Sequence, residues 1–290
     1  MRFELLGCAL LPCLLNSCRE EAPPPPATDV EPGIRQLDAL SMDQRRVFLK
    51  GFPGDWSTDT AMARGLPEPP ASLPLPEDAV IIDLPPPAAA GMPVDRAIAG
   101  RRSERGFSDA PLGLEQLSFL LAATQGVTHT ERDESGEIAR QFRAAPSGGG
   151  RYPLETFLVI QGVNGLESGL YRYLPPGHQV LLVRKEAAIG ASLRRACYDN
   201  DTVGTAPVTV IWAAVPERTE WKYGCIAHKM VAMEAGHVCQ NLYLAAEAIG
   251  AGTCAMLSYH QPALDALLGI NGHDVFAIYL APVGIPVSPP

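Results

Sequence analysis

Residues 226–254 read IAHKMVAMEAGHVCQNLYLAAEAIGAGTC. From Ile226 to Ile249 the apolar side chains recur at helical spacing, and Gly250 supplies the stop. Met230, Met233, His237, Gln240 and Leu244 trace one face, while Val231, Ala235, Val238, Leu242, Ala245 and Ile249 trace another. A helix apolar over so much of its circumference is expected to lie deep in the molecule. Gly250 and Gly252 follow it within three positions, which points to a constrained turn or a plain one.

Working outward, the flanks read as strands and shorter helices. Leu154–Gln161 and Val208–Val215 are apolar and β-rich, as expected of strands covered on both faces. Gly169–Tyr173 and Gln179–Arg184 flank Pro175-Pro176-Gly177-His178, a hairpin signal, and Val275–Val283 is a last buried strand. Residues 94–102, Leu114–Thr124, Glu186–Tyr198 and Gln261–Leu268 read as helices, and Thr128–Ala139 as a polar loop. The implied class is α+β.

Upstream the composition changes. Fifteen of the 28 prolines fall between Pro23 and Pro93, so that stretch reads as a linker or a coat on the domain. The expected organisation is residues 1–17 as a signal, 18–91 as a proline-rich extension and 92–290 as the catalytic domain. Leu5–Leu15 is apolar but shorter than the ~20 residues a membrane-spanning helix needs. Together with Leu15-Asn16-Ser17-Cys18 it resembles a lipoprotein signal, which implies lipid on Cys18 and a place in the cell envelope. A mis-assigned start, with the protein in the cytoplasm, is the alternative. The net charge of −9 speaks against nucleic acid as the main partner. Cys197, Cys225, Cys239 and Cys254 are widely spaced and form no CxxC pair, so no metal site is expected there.

Three segments carry candidate chemistry. Arg101-Arg102-Ser103-Glu104-Arg105 is a compact donor set suited to phosphate oxygens, although most such runs are solvated. Pro146-Ser147-Gly148-Gly149-Gly150 would let backbone approach a planar ligand, unless it is simply a flexible loop. Gly250-Ala251-Gly252-Thr253-Cys254 is the third. Glu234 and His237, one turn apart, read more readily as a buried hydrogen bond than as half a metal site.

In this order the three segments resemble the nitroreductase family, over about Val94–Pro286. The resemblance implies a mainly antiparallel sheet surrounded by helices and a homodimer. It also implies FMN, held by Arg101, Arg102, Ser103 and Arg105 at the phosphate and ribityl chain. Pro146, Ser147, Gly148, Gly149, Gly250 and Gly252 would then lie along the isoalloxazine ring. Ala281–Pro286, with Gly284, is similar to the family's closing Val-Gly-x-Pro element. Pro146–Glu155, Gly169–Tyr173, Trp221–Gly224, Glu234–Leu242 and Val80–Pro85 resemble the SagB-like branch, which oxidises azoline rings in ribosomal peptides. That branch implies Lys222 and Tyr223 as a catalytic pair and a small-molecule or peptide substrate. The alternatives are a nitro- or quinone reductase fed by NAD(P)H, and a flavin-binding envelope protein without activity.

Overall fold

The computed structural model describes residues 39–50 and 59–287. Cys18 and the signal-like segment lie outside the described residues. Residues 1–45 and 46–290 cluster as separate units, and the second contains every element discussed below.

Among the described residues the main sheet has seven strands, all paired antiparallel. In chain order they are β1 (Val80–Asp83), β4 (Leu154–Ile160), β5 (Gly169–Leu174), β6 (Gln179–Lys185), β7 (Val208–Ala214), β8 (Gly252–Thr253) and β9 (Phe276–Gly284). Their spatial order is β1-β6-β5-β4-β7-β9-β8, with β4 and β7 at the centre. The Pro175–Gly177 turn closes the β5–β6 hairpin, with His178 in the left-handed region at φ 49°.

Alternation along the central strands explains their apolar reading. Val208, Val210, Trp212 and Ala214 face one core, and Ile211 and Ala213 face the other. The first core is completed by α2 (Leu114–Gln125) and α6 (Ala227–Ala248). The second is covered by α3 (Ile189–Ala196), α4 (Asp201–Thr205) and α7 (Gln261–Leu268). Both faces are covered, so burying a charged residue on either one is costly without a partner. Two further helices of this unit are α1 (Val94–Gly100) and α5 (Glu217–Tyr223).

Three expectations change. First, the polar stretch read as a loop is a hairpin, β2 (Val127–Arg132) paired with β3 (Ile138–Arg143). The Asp133 carboxylate closes its turn by accepting from the Ser135 and Glu137 amides. It has no buried face, so hydropathy could not reveal it.

Second, packing does not begin at residue 92. β1 extends the sheet, and residues 60–76 lie against it: the Arg172 guanidinium donates to the Leu73 and Pro74 carbonyls, and Arg218 to the Pro70 carbonyl. Over residues 60–76 the proline-rich stretch is a coat on the domain.

Third, α6 is not buried all round. Val231, Glu234, Ala235, Val238, Leu242 and Ala245 face inward, but Met233 is 56% exposed and Gly236, His237 and Gln240 are open. The face traced by Met233, His237 and Gln240 therefore has no partner within the described chain. No helix among the described residues is long and apolar enough to cross a membrane.

Candidate functional site

Helix α6 carries a different assembly at each end, separated by about 20 Å from Met230 to Tyr243 at the usual helical rise.

At its C-terminal end the arginine segment lies against the turn after the helix. The Glu104 amide donates to the Thr253 carbonyl, and Ser103 bridges to Thr253. Gly250 takes φ 70°, ending α6 in the left-handed conformation, and the Ala251 amide donates to the Ala246 carbonyl. Gly252 and Gly284 serve close approach. A Cβ on Gly252 would meet Glu104 at 2.6 Å, and one on Gly284 would meet Phe107 at 2.8 Å. Both glycines therefore let residues 104–107 lie flat on β8 and β9.

The polar side chains of this end are differently placed. The Ser103 hydroxyl is 3.2 Å from the Tyr243 hydroxyl, which also accepts the Ala255 amide at 2.8 Å. The Arg101 guanidinium lies 5.3 Å from the Tyr243 ring centre. Arg102 turns back and donates to the carbonyls of Ala99, Gly100 and Arg101, capping α1. Arg105 makes one long bond to the Ser103 carbonyl. Among the described residues no carboxylate lies within 4 Å of Arg101 or Arg105, so both are available to an anion.

At the N-terminal end of α6 the glycine loop meets the Lys222–Tyr223 pair. Gly149 sits at φ 64°, and a Cβ there would strike the Tyr223 hydroxyl at 2.6 Å and Lys222 Cδ at 3.0 Å. A Cβ on Gly148 would strike Met230 Cε. The Lys222 ammonium lies 5.7 Å from the Tyr223 ring centre. Tyr152 holds the far side of the loop at φ 46°, a strained value for a non-glycine residue. It is fixed there by its amide bond to Ser147 Oγ and by its hydroxyl, which accepts the Arg143 amide.

Beneath the loop runs a buried charge network that the sequence reading missed. Arg218 Nη2 meets Glu155 Oε1 at 2.5 Å, and both side chains are almost wholly buried. Arg218 also donates to the Tyr152 carbonyl, and Glu155 accepts the Leu73 amide. Arg151 stacks 4.8 Å from the Trp221 ring, pairs with Glu68 and donates to the Arg218 carbonyl. The carboxylate of Glu155 in an otherwise apolar strand was the available signal, since a buried charge demands a partner.

Glu234 is buried beside Ser147 and Gly148. Burial pushes its carboxyl up to about 7, against hydrogen bonds from both and the charge of Arg143. His237 points outward, so the two do not converge, and no metal-binding cluster exists among the described residues. Cys197, Cys239 and Cys254 are buried free thiols, and Cys225 is an exposed one.

The comparisons with known proteins agree with this architecture. The model of the nitroreductase family matches residues 98–285. A protein of Methanocaldococcus jannaschii named as a nitroreductase is 36% identical over 184 residues, covering 63% of this chain and 86% of that protein. The microcin B17-processing protein of Escherichia coli is 28% identical over 123 residues, covering 40% of this chain and 43% of that protein. A solved structure from Anabaena variabilis, also named as a nitroreductase, shares the fold with a TM-score of 0.62 at 23% identity. That match covers 72% of this chain and 42% of that one, so the chain spans less than half the length of the last two proteins. By its matched residues and its fold, the chain belongs to the nitroreductase family of oxidoreductases.

Proposed function

We propose that the chain binds FMN and oxidises an organic substrate in the manner of the SagB-like branch. The observation that carries this reading is the contact of Lys222 and Tyr223 with the backbone of Gly149, at the loop a planar cofactor would face.

The residues present fit the cofactor. Gly149 and Gly150 have positive φ and stand exposed, which gives a flat backbone surface. Arg101, Ser103 and Arg105 would hold the phosphate, and Arg102 would act indirectly by fixing the end of α1. Gly250, Gly252 and Gly284 would shape that end rather than touch the ligand. FMN, when bound, supplies the hydride chemistry. Lys222 and Tyr223 would move a proton at the substrate carbon, and Pro146, Ser147 and Gly148 would orient the ring plane.

A homodimer completes the site in this reading. The open face of α6 bears Ala232 and Gly236, small enough for close helix approach, beside the exposed Met233. Ile98 on α1 is also 58% exposed.

A second reading, an NAD(P)H-fed nitro- or quinone reductase, is favoured by the Methanocaldococcus relative's name and its 36% identity. Anaerobic mixing of the flavin-loaded protein with NADPH separates the two. Bleaching of the 450 nm band by NADPH followed by quinone turnover supports the reductase, and no bleaching supports the oxidase. For Cys18 we propose a lipid anchor, which incorporation of labelled fatty acid by wild type but not Cys18→Ala would support.

A further inference from the structure

The hairpin that hydropathy missed builds one wall of a cavity. Strand β3 ends Arg140-Gln141-Phe142-Arg143, and Arg140, Phe142 and Arg143 line a space of about 470 Å³. Gly149, Tyr152 and Lys222 line it as well. Its mouth is therefore continuous with the loop and the lysine–tyrosine pair described above.

The lining is one-signed. Arg140, Arg143 and Lys222 contribute three cations, and no Asp or Glu lines the cavity. Among the described residues none of the three has a carboxylate within 4 Å. They rest instead on aromatic faces: Arg140 lies 5.8 Å from the Phe142 ring, Arg143 is 4.6 Å from Tyr152 and Lys222 is 5.7 Å from Tyr223. Arg143 adds one bond to the Gln125 amide oxygen at 3.3 Å. The chain as a whole carries −9, so a cavity with only positive charge is not a sample of its average surface. Cations held by ring faces keep their hydrogen-bonding capacity for an incoming acceptor.

We infer that this cavity takes a planar organic anion as substrate. Its carboxylate or phosphate meets Arg140 and Arg143, and its flat part lies on the Phe142 side of the cavity, which leaves the Gly149 backbone to the flavin ring. The inference rests on the proposed redox site, since it names the substrate class for that site.

The test is calorimetric titration of the purified full chain with 4-nitrobenzoate and with its neutral isostere 4-nitrobenzamide, in low and high salt. A charge-assisted hydrogen bond predicts that the anion binds ~10-fold tighter or more. The preference shrinks as salt rises and is lost in Arg140→Glu. Arg140 is an exposed residue within β3, paired across the hairpin with Glu131, and an unchanged melting temperature shows that the variant folds. Equal affinity for the two compounds overturns the inference, as does a preference that survives in Arg140→Glu. Inorganic phosphate, titrated in parallel, competes weakly if the ring contributes. Phosphate competing as well as nitrobenzoate overturns the planar part of the claim. A parallel FMN titration separates the two readings. FMN bound without anion preference removes this inference alone, and anion preference without FMN affinity removes the flavin reading alone.

Discussion

The two ends of α6 reach order by opposite means. At the C-terminal end the backbone does the positioning: Gly252 and Gly284 let residues 104–107 lie flat, and Arg101 and Arg105 are left without carboxylate partners. At the N-terminal end side chains do it: Glu155, Arg218, Arg151 and Tyr152 hold the glycine loop through a buried ion pair, a second pair at the surface and strained backbone. In the proposed reading, the C-terminal end keeps Arg101 and Arg105 unpaired for the phosphate. The N-terminal end pairs Arg218 with Glu155 beneath the loop and ties both to the coat at Pro70 and Leu73, while Arg143 and Lys222 on the cavity side have no carboxylate within 4 Å among the described residues. The N-terminal end, a cradle, and the C-terminal end, a clamp, use different residues and can be mutated separately.

The largest expected effect falls on the cradle. Arg218→Ala leaves the Glu155 carboxylate buried and unpaired, which typically costs about 3–5 kcal/mol. The urea midpoint should drop accordingly, and replacing both residues with leucine should recover part of the loss. An unmoved midpoint in Arg218→Ala would show that the coat is held by something else.

Next in size is the pair against Gly149. Lys222→Ala and Tyr223→Phe should each slow flavin reduction by the true substrate ~100-fold or more while FMN still binds. Unchanged single-turnover rates in both variants would move the proton transfer to another group.

A smaller effect is a pH slope. The Glu234 carboxyl is raised from 4.5 to about 7, so the folded state keeps a proton that the unfolded chain releases. Its stabilising contribution is full below pH 4.5 and is lost as pH rises through 7, by at most about 1.4 kcal/mol per pH unit. Glu234→Gln should flatten stability between those limits, and a slope identical to wild type would rule out this source.

Much of the sheet was legible because both faces of β4 and β7 are covered, which makes their sequences continuous apolar runs. The α6 boundaries were legible from the helical spacing of its apolar residues, with Gly250 as the stop. What hydropathy misjudged was exposure: the face with Met233 and Gly236 is apolar or small yet open, since apolar character records a need for cover and not who provides it. The β2–β3 hairpin escaped because backbone bonds alone define it. At the site, the structure brings Gly149 beside Lys222 and Tyr223, more than 70 positions further along the chain. The roles of Glu155 and Arg218 did not show, because 63 positions separate the two partners. Arg102 shows the reverse limit: a motif arginine is engaged by its own helix end.

The most direct test of the account is fluorescence titration of FMN into the purified chain, alongside Arg101→Ala. The clamp predicts saturation at one FMN per subunit for wild type. It predicts weaker binding by roughly 1.5–3 kcal/mol, or ~10-fold or more, for Arg101→Ala, because one charged hydrogen bond to the phosphate is lost. A wild-type chain with no affinity for FMN, or an Arg101→Ala variant that binds as tightly, would contradict it.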